Sequence, residues 1–588
     1  MKLLRLFLPL MLGAAAPALA SDMADPAVGE NRASVRVTPQ LDAAERDNYR
    51  AVFAALRSSD WAGAAGRLDG MGDGPLHDVA RAMLYTLPGS PRVEQEPLTS
   101  LYLRAPELPQ AADLLRIATA RGATALPAPP QAQRLVGLPG QPRRPRPRPL
   151  RGDAVADLLE PLIQPLIVDN RPTEAEALFT ARAHELSDEA RTAFGQRIAW
   201  SYYLTGADRE AYRVADQARH GPTEWALHAD WVAGLAAWRM GNCNAATQHF
   251  DRVGMRGEHP ELMAAGHYWA SRAEMKCGRA DRVQLRLRNA ARLDETFYGM
   301  LAESALGVRK RPAEAAPLTE AEWRQLKDER NVRRAVALAE IGEDELAGTF
   351  LRHQARIGDP RLHSALVHLA ARLNLTSTQM WLAHNGPRGA AVTPQDRYPR
   401  PDWRPDRGWR VEEALVFAHA LQESNFRPEA VSPAGARGLM QVRPGTAGDI
   451  VRWRGVTADP SRLSEPRTNL EFGQAYLEHL RDFSASRGLL INTISAYNAG
   501  PGVISDWHGR GLDNGDPLLF IESIPYWETR GYVPIVLRNY WMYEQKPAEA
   551  SPSRRALVQG LWPRFPGTPG PTAIRIERAP RPTAMGQQ

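Results

Sequence analysis

The sequence predicts an all-α protein: an α-solenoid superhelix of helical hairpins, followed by a compact, mainly helical unit. Two observations carry this reading. Helix-like segments are broken at Asn170, Gly206, Gly241 and Gly278, which lie 36, 35 and 37 residues apart. Each break is followed by an alanine-bearing second helix, as in "TGADREAYRVA" and "GNCNAATQHF". A period near 35 with helix–turn–helix units marks a solenoid of tetratricopeptide type. The second observation is that no segment reads as strand-rich.

The elements follow in chain order. Residues 1–20 carry Lys2 and Arg5, an apolar run from Leu6 to Ala16, and Ala18-Leu19-Ala20 before Ser21. That is the pattern of a secretory signal cut after Ala20, so the mature protein is expected in the periplasm. The run is short for a membrane span. Residues 21–307 are read as the helical-repeat superhelical domain. Within it, residues 126–152 form a connector, "LPAPPQAQRLVGLPGQPRRPRPRPLRG", too rich in proline for a helix interior and read as exposed and extended. Trp200, Tyr203, Trp231, Trp238, Tyr268 and Trp269 precede or flank the turns and read mainly as packing between helices. Residues 308–405 read as a helical linker domain ending at "YPRPDWRP". The compact unit spans 406–545. Residues 546–588 lack apolar periodicity and read as a disordered basic tail.

Export makes a disulfide possible. Cys243 and Cys277 are the two cysteines, each beside a glycine turn in neighbouring hairpins. A bridge and a pair of buried free thiols are both open on this evidence.

The 588-residue chain has a net charge of +6. The charge is unevenly placed. Arg143, Arg144, Arg146, Arg148 and Arg151 crowd the connector without an acid, and the tail from Lys546 is also basic. The rest of the mature chain is mildly acidic. The basic segments therefore suggest flexible tethers to an anionic cell wall or membrane surface. A nucleic-acid partner is not expected, since no binding module is evident. Nor is there an HExxH, Walker loop, GxSxG or clustered His/Cys set, so no metal or organic cofactor is implied.

The chemistry-bearing stretch begins in an apolar helix. Ala414, Leu415, Ala418 and Leu421 recur at helical spacing, with Glu412 and Glu413 facing away, and the helix runs into Glu423. Burial disfavours a charged carboxylate, so Glu423 is a candidate proton donor near neutrality. Taken alone it also fits a helix-end glutamate in a salt bridge.

The context is more specific. "ESNFRPEAVSPAGARGLMQVRPGTA", from Glu423 to Ala447, resembles the signature of the soluble lytic transglycosylases. Glu423, Ser424, Phe426, Ala430, Ser432, Gly435, Ala436, Gly438, Leu439, Met440, Gln441, Pro444, Thr446 and Ala447 carry the match. "AYNAGPG" (Ala496–Gly502) and "ESIPYWETRGYVPIVLRNYWMY" (Glu522–Tyr543) resemble two further blocks of the same family, in the same order. Leu421 stands where many members carry arginine.

The resemblance implies a lysozyme-like, mainly helical catalytic domain acting on the glycan strands of peptidoglycan, as a monomer. It implies cleavage of the β-1,4 bond between N-acetylmuramic acid and N-acetylglucosamine, leaving a 1,6-anhydro end. Glu423 would be the single acid/base. Ser424 and Gln441 would hydrogen-bond at the sugar site, with Met440 as its apolar floor. Tyr497 would orient the reacting group or the N-acetyl, Asn498 would hold substrate or loop, and Glu528 would fix local donors. Glu528 paired with Arg530 or Arg538 is the simpler alternative. Gly435, Gly438 and Gly500 read as backbone-geometry residues. A muramidase on the same fold, and a glycan-binding helical scaffold without activity, are the competing functions.

Overall fold

The computed structural model describes residues 35–221, 224–308, 316–544 and 551–577. The signal segment 1–20 and residues 546–550 and 578–588 of the tail lie outside the described residues.

The repeat breaks fall where the periodicity places them. Asn170, Gly206, Gly241 and Gly278 all adopt positive φ, between 55° and 81°. A left-handed residue ends a helix and turns the chain, which is cheapest for glycine. The helices they separate include Asp188–Thr205, Asp208–Ala218, Glu224–Arg239, Cys243–Arg256 and Pro260–Lys276. Tyr203, Trp231, Tyr268 and Trp269 are buried between them. Phe250 and Trp269 pack at 5.6 Å between ring centroids, and Trp231 meets Phe250 at 5.2 Å. Cys243 and Cys277 are joined in a disulfide across two successive repeats, with Cα atoms 5.6 Å apart.

The division of the N-terminal half differs from the sequence reading. Residues 308–405 do not form a separate linker domain. The helices of residues 43–120 share one apolar core with those of residues 320–384. Glu340 accepts hydrogen bonds from the amides of Gln40 and Leu41, and Arg334 pairs with Glu107 at 2.7 Å. Hairpins at both ends of the superhelix bury their apolar faces against each other, a pairing that linear order does not reveal.

The connector is irregular, as its prolines require, but it is not a free tether. Val136–Gly137 pairs antiparallel with Asn385–Gly386. Arg144 makes a two-pronged ion pair with Glu522, at 2.7 and 3.1 Å. Arg538 donates to the Pro142 carbonyl at 2.6 Å.

The tail is also corrected over its described part. Residues Pro552–Val558 form a helix, and Trp562–Pro563 pairs with Ala573–Ile574. Trp562 is fully buried and donates its indole N–H to the Gly515 carbonyl. Arg554 is buried over the Trp541 ring. A seven-residue helix is too short to show apolar periodicity, so its burial was invisible in sequence. Each basic segment thus places one arginine inside the fold, Arg144 and Arg554, while Arg143, Arg146, Arg148, Arg151 and Arg555 stay exposed.

The compact unit is built on helices Glu413–Ser424, Pro466–Asp482, Leu490–Ala499 and Trp527–Glu544. It docks on the repeats through one continuous core. Phe297 stacks on Trp541 at 5.2 Å, and Tyr298 donates to Glu522 at 2.6 Å. No helix among the described residues is long and apolar enough to cross a membrane.

Candidate active site

Helix Glu413–Ser424 is apolar almost all round. From Leu415 to Leu421 every side chain is buried. The helix stops because Asn425 takes the left-handed conformation at its C-cap, followed by Phe426 at φ 57°. Two consecutive non-glycine residues at positive φ hold the chain turned away just after Glu423. Such backbone strain persists only where the surroundings impose it.

Glu423 therefore ends a buried helix. Burial pushes its carboxyl up to about 7, and the nearby charge of Glu528 acts in the same direction. Tyr532, on helix Trp527–Glu544, donates its hydroxyl to Glu423 Oε1 at 2.6 Å, which opposes the rise by favouring the ion. His419 lies one turn before Glu423, between the rings of Tyr497 (4.8 Å) and Tyr532 (6.2 Å). Burial holds its imidazole down to about 4, so it is neutral at pH 7. The imidazole and the two phenols around the acid are thus neutral, and the charge that reaches it is that of Glu528.

The residues expected around Glu423 take up different roles. Ser424 is buried. Its hydroxyl donates to the carbonyls of Leu439 (2.8 Å) and Ala420 (3.2 Å). It therefore fastens the loop to the helix end. Gln441 likewise gives its amide N–H groups to Gly438 and Ala430 carbonyls, at 2.9 and 3.1 Å. The loop's own carbonyls take the O–H and N–H donors that were expected at the sugar. Met440 is fully buried, with its sulfur against Gly473, so it is core beneath the site. Tyr497 donates to the Met440 carbonyl at 2.7 Å.

Asn498 and Glu528 form a polar edge. Asn498 Nδ2 donates to Glu528 Oε1 at 3.4 Å, while its Oδ1 accepts from Thr529 at 2.6 Å. Glu528 is exposed and makes no ion pair with Arg530 or Arg538 among the described residues. Gly435, Gly438 and Gly500 all have positive φ, as backbone-geometry residues require.

Three site residues escaped the sequence reading. Tyr532 stands four residues after Glu528, inside the segment Glu522–Tyr543, yet only the fold brings it to Glu423. His419 could have been found as the residue one helical turn before the acid. Asn469 accepts from the Met440 amide and donates to the Arg437 and Leu463 carbonyls, organising the loop from a distant helix.

Replacing Tyr532 with phenylalanine removes the one donor to Glu423 among the described residues, which stabilises its ionised form. The alkaline limb of any Glu423-dependent activity should then move upward by about one pH unit. A pH profile with an unchanged limb would show that the contact does not set the acid.

Fold and site together define a class: a helical superhelix bearing a lysozyme-like domain with a half-buried, protonatable glutamate. Residues 405–516 match the family model described as the transglycosylase SLT domain. It is 42% identical over 134 residues to the soluble lytic murein transglycosylase of Salmonella typhimurium. It is 41% identical over 133 residues to the protein of that name from Escherichia coli. Each match covers 22% of this chain and 20% of the relative, so it spans about a fifth of those proteins.

The fold likeness is far longer. The 70-kDa soluble lytic transglycosylase of Escherichia coli superimposes with a TM-score of 0.55 at 18% identity, covering 88% of this chain and 99% of that one. An inactive mutant of the lytic transglycosylase Slt from Pseudomonas aeruginosa gives 0.53 at 22% identity, covering 84% and 72%.

Proposed function

We propose that the protein is a periplasmic lytic transglycosylase of peptidoglycan. On this reading it cleaves the MurNAc-β-1,4-GlcNAc bond without adding water and leaves a 1,6-anhydro end. The observation that carries it is Glu423: a half-buried carboxyl at the end of a buried helix, raised to about 7, with Tyr532 at 2.6 Å, inside a transglycosylase SLT domain.

Glu423 in its acid form protonates the departing glycosidic oxygen. The resulting carboxylate is stabilised by the Tyr532 hydroxyl. It then takes the proton from the C6 hydroxyl as that oxygen attacks C1. An ordinary glycosidase uses two carboxylates, one as nucleophile or as base for a water. Here the N-acetyl group of the sugar can stabilise C1 and the sugar's own hydroxyl replaces the water, so one acid/base suffices. Glu528, tied to Asn498, supports the local donors.

Mass spectrometry of sacculus digests tests the reading. Anhydro ends are expected, and reducing ends would instead establish a muramidase. The pH dependence provides a second check. Protonated Glu423 is the starting form, so kcat/KM should fall as pH rises past about 7. A fall centred in the ordinary carboxylate range, near 4.5, would remove Glu423 from the acid role.

A further inference from the structure

The turn Pro394–Arg397 lies where the chain passes from one apolar core to the other. Behind it is the core shared by the helices of residues 43–120 and 320–384. Ahead of it, Tyr398 enters the core of the repeats and the compact unit. On that second side the turn is well fixed. Arg397 and Glu295 form a buried ion pair, with Arg397 Nε donating at 3.2 Å. Arg400 donates to the Tyr543 carbonyl, near the end of the helix that carries Tyr532.

On the first side the turn is held by Gln379, which donates to the Asp396 carbonyl at 3.0 Å, and by His368. His368, on helix His363–Arg372, stands between two carboxylates. Its Nδ1 is 2.8 Å from Glu322 Oε1, and its Nε2 is 3.5 Å from Asp396 Oδ1. Each acid commits its other oxygen to its own cap. Glu322 Oε2 accepts from the Thr319 amide and hydroxyl at 2.8 and 2.9 Å, and Asp396 Oδ2 from those of Thr393 at 2.8 and 2.9 Å. One imidazole thus joins the caps of two separate elements.

Only the imidazolium can donate from both ring nitrogens. The neutral ring donates from one and turns a lone pair toward the other carboxylate. Burial pulls the His368 imidazole down, but the two carboxylates outweigh it and hold the ring above its ordinary value of 6.5. Burial works to raise the Asp396 carboxyl, yet its bonds to His368 and Thr393 keep it below its ordinary 3.8. The folded ring therefore holds its proton more tightly than the unfolded one. Its contribution is full below about 6.5 and is lost as pH rises through the raised value, with Asp396 ionised throughout.

The ring also has access to solvent. It lines a cavity of about 230 Å³ with Thr376, Gln379, Arg372, Tyr398 and Arg400. A polar space of that size admits water. The two arginines are the cations of this cavity, and both donate to backbone carbonyls, Arg372 to Val35 and Arg400 to Tyr543. His368 makes no ion pair beyond Glu322 and Asp396 among the described residues.

We infer that His368 is a pH-sensitive tie between the two cores. Protonated, it fastens the turn Pro394–Arg397 to the helices behind it; on losing its proton, it lets the turn that leads into the compact unit loosen. No step of the glycan chemistry enters this inference.

Hydrogen–deuterium exchange of the full chain, at about pH 5.5 and about pH 8.5 and corrected for intrinsic exchange, tests it across the range in which a histidine titrates. Protection of residues 393–398 in wild type should drop about tenfold at the higher pH. His368→Gln, uncharged at both values, should show the less protected turn throughout. Glu423 and Glu261, both raised to about 7, also titrate in this range. The variant keeps both, so a difference between the two proteins belongs to His368. An equal drop in His368→Gln, or no drop in wild type, would overturn the tie. So would an equal drop in helix Asp188–Thr205 of the other core, which would mark general loosening. If His368→Gln fails to melt cooperatively, Asp396→Asn decides, since its amide oxygen can still cap the turn. Wild-type pH dependence in that variant overturns the tie, and a flattened response supports it.

Discussion

Glu423→Gln should reduce glycan-strand cleavage by roughly 10²–10⁴-fold. The amide keeps the shape of the side chain and can still accept from Tyr532, but it has no proton to give. The folded protein should not suffer. The folded carboxyl is raised from 4.5 to about 7, so the native state binds more protons than the unfolded chain between those values. Stability therefore falls as pH climbs through that window, and above it the native state carries a buried charge at a cost of up to about 3 kcal/mol. Glutamine removes this cost. At pH 8 the variant should melt no lower than wild type while releasing almost no muropeptide. Equal release by both proteins would end the assignment of Glu423 as the acid. A lower melting temperature would trace lost activity to lost structure.

The second large effect is expected at Gly438. Its φ is 74°, and a Cβ there would lie 2.2 Å from both Asn469 Nδ2 and the Leu463 carbonyl. Alanine at this position meets an unfavourable backbone region and two polar atoms that are already engaged in the loop's own hydrogen bonds. Gly438→Ala should cost about 3 kcal/mol or more. It should also lower activity, since the same loop fastens the end of the acid helix through Ser424 and Leu439. Chemical denaturation measures the first effect. A change within about 0.5 kcal/mol, the range of a surface substitution, would show that the loop can move aside.

The site was legible where its residues are contiguous. Glu423, its apolar helix and the glycines of the loop lie within one short stretch, and each type of residue has a local reason to be there. Roles were harder to read than identities. Ser424 and Gln441 are polar and close to the acid, but hydrogen bonds to Leu439, Gly438 and Ala430 decide which way they point. Tyr532 comes from 109 residues away, so proximity in sequence could not supply it. The fold shows the same contrast. Repeat breaks follow local backbone rules and were readable one by one. The clasp of Arg144 on Glu522 crosses 378 residues, and extended proline-rich backbone has no periodicity to hint at a partner.

These long clasps bear on the order in which the chain can be completed. The amides of Gln40 and Leu41 find their acceptor at Glu340. At about 5–20 residues per second, synthesis of the intervening stretch takes roughly 15–60 s. Through that time the first hairpins have half of their apolar core still unmade. The connector waits longer, until Glu522 and Arg538 arrive near the end. Such non-local closure slows folding and leaves apolar surface open to wrong partners. Refolding from denaturant should therefore be slow and sensitive to protein concentration, with helix Trp527–Glu544 of the compact unit acting as the latch for segments made long before it.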